Sequence, residues 1–112
     1  MSAGTTWDLL AEALVRRRPV RARYRGTERL LCPHLLGHKN GRAKVLCYQS
    51  GGATSQGRLP KEPSQCWRSL FVDDLEDAKI VNGGFWATAD NYSLNTNCVD
   101  KVEICVAPVN HS

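Results

Sequence analysis

At Pro19 the hydrophobic rhythm of this chain changes from the period of a helix to that of a strand. Ahead of it, Trp7, Leu10, Ala11, Leu14 and Val15 form an i, i+3, i+4, i+7 stripe. Thr5 or Thr6 can cap such a helix, with Asp8 and Glu12 early and Arg16 to Arg18 late, the order that suits the helix dipole. Proline cannot continue a helix and disfavours helical backbone at the residue before it, so a helix is expected over about 6–18. Beyond Pro19, Val20, Ala22 and Tyr24 alternate with Arg21, Arg23 and Arg25. In a strand this puts three arginines on one wet face and the apolar residues on the core face. Such a row fits an ordinary solvated face as well as a surface for phosphates, carboxylates or other anions.

Turn chemistry divides the remainder of the chain. Arg25-Gly26-Thr27 turns the first strand back into a second, Glu28 to Leu36; Gly37 and Asn40-Gly41 mark the next turn, Asn-Gly being a strong hairpin signal. Arg42 to Gln49 reads as a strand covered on both faces, and Ser50 to Ser64, rich in Gly, Ser and Pro, as a long mobile loop. Trp67 to Val72 is a further strand, Asp73-Asp74 a turn and Ala78 to Val81 a short strand broken by Gly83-Gly84. Residues 85–97 read as irregular, anchored by Phe85, Trp86 and Tyr92. A last strand turns Val102, Ile104 and Val106 inward and Lys101 and Glu103 to water, and Pro108 ends it. The expected fold is mainly β (α+β): a single domain over 1–112, a small, strongly bent antiparallel barrel with strands over about 20–107 and one N-terminal helix.

At 112 residues and 42% hydrophobic, the chain can bury a core without staples. No run approaches the about 18 apolar residues of a membrane helix, and Asp8 and Glu12 interrupt any secretory pattern, so a cytoplasmic location and no membrane partner are expected. The five cysteines, Cys32, Cys47, Cys66, Cys98 and Cys105, are odd in number and never two residues apart, which favours reduced thiols used as small core residues. Cys32-Pro33-His34 with His38 is a metal half-site without a partner knuckle, and no metal or other cofactor is expected. Charge is uneven: residues 1–44 hold ten Lys/Arg against three Asp/Glu, whereas residues 45–112 hold five against eight, many in Asp73-Asp74-Leu75-Glu76-Asp77. No catalytic set emerges, since the carboxylates crowd one turn and Cys32 and His34 on alternate strand positions gain no automatic contact. The chain is therefore read as a non-enzyme.

Tyr24-x-Gly26-x-x-Arg29-x-x-x-Pro33-x-x-Leu36-Gly37, then Asn40-Gly41, Val45-Leu46-Cys47-Tyr48-Gln49 and Trp67-Arg68-x-x-x-Val72-Asp73-Asp74-Leu75 together resemble the WYL domain across nearly the whole chain. The name-giving tripeptide is replaced by Ala43-Lys44-Val45, and about eighteen residues precede the first strand, so a short standalone form without the usual winged helix is expected. The resemblance implies an Sm-like barrel with an N-terminal helix, of the kind found in bacterial transcription regulation. It also implies a ligand groove lined by basic and aromatic residues, which by position would be Tyr24, Arg29, His34, Tyr48 and Arg68. The alternation adds Arg21, Arg23 and Arg25. The implied partner is an anionic ligand, single-stranded nucleic acid or a nucleotide. The alternative is a protein-interaction or homodimerisation domain that binds no nucleic acid.

Each of these residues also has a structural role open to it. Arg29 and Arg68 can pair with the Asp73-Asp74 turn, Tyr24 and Tyr48 can be core strand residues, and His34 can be a satisfied strand histidine.

Overall fold

The computed structural model describes residues 3–54, 57–93 and 98–106. Helix α1 (Ala3–Arg16) precedes β1 (Val20–Tyr24), β2 (Thr27–Lys39), β3 (Arg42–Thr54), β4 (Gly57–Arg58), β5 (Trp67–Phe71), β6 (Leu75–Ile80) and β7 (Lys101–Cys105). The molecule is mainly β, and its antiparallel sheet curls into a half-barrel against the one helix. The strand order is β4-β3-β2-β1-β6, with β5 also on β3 and β7 also on β2.

Helix α1 starts earlier than its threonines imply: Thr6 is a buried residue inside it, beside Leu10, Ala13 and Leu14, while Val15 is 67% exposed. It ends before Pro19 in a left-handed cap. Arg17 has φ 55°, its N–H donates to Leu14 O (3.2 Å), and Arg18 N–H donates to Ala13 O (2.8 Å). These two bonds satisfy carbonyls that the last turn would otherwise leave open. The helix lies on β2, β6 and the 3-10 turn Val72–Asp74.

β1 follows the alternation residue by residue, with Val20, Ala22 and Tyr24 buried and Arg21, Arg23 and Arg25 exposed. Both short hairpins turn through two residues of positive φ, Arg25-Gly26 (50° and 86°) and Asn40-Gly41 (50° and 81°), the twist that suits strand pairs.

The main surprise is β2. It runs through Gly37 to Lys39, and all residues from Leu31 to Gly37 are buried. Gly37 is no turn: a side chain there would collide with the Lys101 carbonyl, because β7 is laid directly against it. One edge of β2 is shared, β1 pairing with its first half and β7 with Leu35–His38.

Several expected boundaries move. β3 continues to Thr54 and pairs with β4, so the first part of the expected 50–64 loop is strand, and Pro63–Gln65 adds a 3-10 turn. Gly52 (φ 83°) makes this possible, since a Cβ there would strike Glu28 O and the Arg29 Cα. β6 begins at Leu75 rather than Ala78. Phe85 is 95% exposed and anchors nothing, whereas Trp86 and Tyr92 pack on the core. In β7, Val102 is 43% exposed, against the inward orientation expected for it, and Val106 is buried. Pro108 lies outside the described residues.

Candidate functional site

The eight residues singled out from sequence fall into three places. Arg21 and Arg23 project from the exposed face of β1 into an open groove of about 460 Å³ lined also by Gly26, Glu28, Asp77 and Lys79. Its charges are mixed. Arg21 Nε lies 3.7 Å from Glu28, and Arg23 reaches Asp77 at 2.7 Å and Glu76 at 3.7 Å. Glu28 comes from the β1–β2 hairpin, and Glu76 and Asp77 from the β1–β6 register, which sets Arg23 opposite Glu76 with a bulge at Asp77. The outer arginines are thus ion-paired at the surface, with the Arg21 side chain still 63% and that of Arg23 46% exposed.

The second place is the β1–β2 turn, where Tyr24, Arg29 and Arg68 lie on the covered face and the exposed Arg25 reaches over the Tyr24 ring. Ala22 pairs with Arg29 across β1 and β2, so Arg29 shares the face that buries Ala22 and Tyr24, and it is only 4% exposed. Arg68 pairs with the fully buried Cys47 across β3 and β5, on the face that also buries Val45 and Leu70. The Tyr24 ring carries two guanidinium groups, Arg25 at 5.1 Å and Arg29 at 5.2 Å from its centroid, and its hydroxyl accepts a hydrogen bond from Phe71 N–H (3.2 Å). Tyr24 therefore positions the arginines; at 5% exposure it offers no platform for a base.

Arg29 and Arg68 are held mainly by neutral groups. Arg29 Nε donates to Thr27 Oγ1 (2.9 Å), which in turn donates to Tyr24 O (3.0 Å). Arg68 Nη1 donates to Gln65 O (3.0 Å) and Trp67 O (2.8 Å). Among the described residues no carboxylate stands within ion-pair distance of either, while Arg25 reaches Asp74 at 3.3 Å. Burial, then the positive charge of Arg68, holds Arg29 below the ordinary guanidinium value, Tyr24 opposing and Arg25 reinforcing the effect. An arginine stays charged through such shifts, so a largely covered cation is kept beside a like charge.

The third place is an aromatic cluster with His34 and Tyr48. His34 is fully buried at the β2 bulge, its ring stacked on Trp86 (4.1 Å) and edge-on to Trp67 (4.7 Å) and Tyr92 (4.9 Å). Its Nδ1–H donates to Cys32 O (2.7 Å), which leaves Nε2 to accept from the Thr88 hydroxyl (2.9 Å). Burial lowers its pKa to about 4, the Cys32 bond opposing and the Arg17 charge reinforcing. A ring so enclosed is a structural histidine, with no surface for a ligand. Tyr48 is half-buried against the edge of Trp67 (5.6 Å), away from the arginines.

Sequence reading missed Trp67, Trp86 and Tyr92 as one cluster, and missed Arg17, whose guanidinium lies 5.4 Å from the Trp86 ring. The Tyr92 hydroxyl, its pKa pushed up to about 12 by burial, donates to Val106 O (2.8 Å) with His34 O also in range (3.2 Å), tying the end of β7 to the bulge. Four cysteines are buried and Cys105 is exposed. Among the described residues no cluster of three His, Cys, Asp or Glu could hold a metal ion, and no helix is long and apolar enough to cross a membrane. Comparison with protein-family models, curated proteins and solved structures finds no match for this chain.

Proposed function

We propose that this chain is a non-enzymatic sensing module of the WYL type that binds an anionic ligand, a nucleotide or single-stranded nucleic acid, through Arg25, Arg29 and Arg68. The single observation that supports this reading is Arg29: a residue only 4% exposed, without a carboxylate partner among the described residues and next to a second arginine. Burying an unpaired charge costs several kcal/mol, and a binding site is one place where a fold retains such a group, since the ligand supplies the counter-charge. The desolvation is met during folding, which leaves the donors preorganised. In this reading the half-barrel is an Sm-like barrel whose seam lies between β5 and β6. The 3-10 turn Val72–Asp74 joins those two strands, and Tyr24 reaches from β1 to Phe71 across the end of the sheet.

Fluorescence anisotropy with labelled single-stranded DNA and RNA tests it. Three phosphate contacts to a single strand give a salt slope near −2, so affinity is expected to fall about 20-fold between about 50 and 200 mM salt. Arg68→Gln is expected to weaken binding and flatten that slope. Absence of binding at micromolar protein, or binding blind to salt, refutes the proposal.

A further inference from the structure

Resting on that reading for single-stranded nucleic acid, we infer that the loop after β6 is a second contact for the strand: the Phe85 ring stacks on a base, and Arg17 and Arg18 at its foot take the adjoining phosphates. Exposure is the first observation. Of the chain's three Trp, three Tyr and two Phe residues, Phe85 alone is exposed, at 95%. Tyr24 is covered by two guanidinium groups, and Tyr48 lies half-buried against the edge of Trp67. Stacking needs an open ring face, so within this fold it falls to Phe85.

Placement is the second. Ahead of Phe85, Val81 N–H donates to Pro19 O (2.8 Å) and Arg18 Nη1 donates to Asn82 O (3.5 Å). A Cβ at Gly84 would touch Pro19 and Val81, whereas one at Gly83 would meet nothing within 4 Å. Directly after Phe85, Trp86 is stacked on the buried His34 ring at 4.1 Å and carries the Arg17 guanidinium 5.4 Å from its centroid. Both ends of the tip are thus held, and Arg17 and Arg18 are brought to the residues that bracket Phe85. A ring ordered in advance costs little to immobilise on binding.

Charge is the third. Arg16 is paired with Glu12 at 2.9 Å, but among the described residues no carboxylate lies within ion-pair distance of Arg17 or Arg18. Their hydrogen-bond partners are neutral carbonyls, Leu14 O for Arg17 (3.2 Å) and Asn82 O for Arg18. An open ring beside two cations without a counter-charge is the pairing a single strand satisfies, its phosphates meeting the cations and its base the ring. A bilayer surface fits less well, because its grip grows with buried apolar area and one ring offers little.

The test measures anisotropy of a short labelled single strand, and of the same strand made abasic, against the parent chain and surface variants over a range of salt. Phe85→Ala is expected to weaken binding of the intact strand about 10-fold without changing the salt slope, and to leave the abasic strand unaffected. Phe85→Tyr keeps the ring and is expected to bind as the parent does. Arg18→Gln is expected to flatten the slope by about 0.7 for both strands. A strand carrying 2-aminopurine gives the direct readout, its emission quenched by the parent chain and not by Phe85→Ala. If Arg68→Gln weakens binding while Phe85→Ala does not, this inference is overturned and the reading it rests on stands. If Phe85→Ala weakens binding while Arg68→Gln does not, the tip holds the strand and the Arg68 site falls. Failure of any strand to bind at micromolar protein overturns both, and binding of phosphatidylserine vesicles in its place assigns the tip to a membrane surface instead.

Discussion

Acid is expected to destabilise this fold through one buried ring. His34 is fully covered, stacked on Trp86, and bonded through both nitrogens as the neutral Nδ1–H tautomer. Its pKa is lowered from 6.5 to about 4, burial being the largest cause. Between those two values the unfolded chain binds a proton that the folded chain does not, so stability is full above about pH 6.5, falls as pH drops, and levels off once the folded ring itself titrates near 4. The slope within the window approaches about 1.4 kcal/mol per pH unit, and the loss between about pH 7 and pH 5 comes to about 2 kcal/mol.

Urea denaturation of the parent chain and of His34→Gln at a series of pH values isolates the effect, because every other titrating group is common to both. The variant is expected to be less stable at neutral pH, having lost the stacked ring, yet to lose about 2 kcal/mol less than the parent on acidification to about pH 5. An NMR titration of the ring gives the independent check, together with nitrogen shifts that report Nδ1 as the protonated atom. A midpoint near 6.5, or a stability gap between the two chains that ignores pH, refutes the reasoning from burial.

Other outcomes are fixed by the same geometry. Gly37→Ala drives a methyl group into the Lys101 carbonyl and is expected to cost about 1–3 kcal/mol in chemical denaturation, with hydrogen exchange accelerated first in β7. Arg17→Gly and Arg17→Ala both remove the guanidinium from Trp86, but only glycine suits the φ of 55°, so the glycine variant is expected to be about 1 kcal/mol the more stable by thermal unfolding. Tyr24→Phe strips the acceptor from Phe71 N–H and is expected to cost about 1–2 kcal/mol, read by urea denaturation. Arg23→Ala breaks ion pairs whose side chains are 46–73% exposed and is expected to change stability by less than about 1 kcal/mol, measured by the same denaturation.

How much of the fold and site was legible depended on whether the information was local. The β1 alternation, the stop before Pro19 and the Asn40-Gly41 hairpin are set by neighbours within a few residues, and the structure follows each of them. Glycine misled where it serves closeness instead of turning. Gly37 admits the β7 backbone and Gly52 admits that of β2, so two positions that look like breaks lie inside long strands. His34 was ambiguous because its enclosure is supplied by Trp86, Thr88 and Tyr92, more than fifty positions away along the chain. The salt bridges of Arg23 were illegible for the same reason: they arise from the β1–β6 register and its bulge at Asp77.

That register also decides which of the chain's positive charges are paired within the chain. Residues 1–44 carry most of the arginines and the acidic run 73–77 carries much of the compensating charge, so the sequence presents a basic half facing an acidic turn. Folding brings the two together on the exposed faces: Asp74 lies within 4.0 Å of both Arg25 and Arg42, and Glu76 and Asp77 flank Arg23. Strand parity prevents the same compensation for Arg29 and Arg68, which point to the opposite face from Arg21, Arg23, Glu28, Glu76 and Asp77. Alternation therefore does more than sort apolar from polar. By placing the carboxylates of β2 and β6 on the outer face and these two arginines on the inner one, it leaves the inner pair without a carboxylate partner among the described residues.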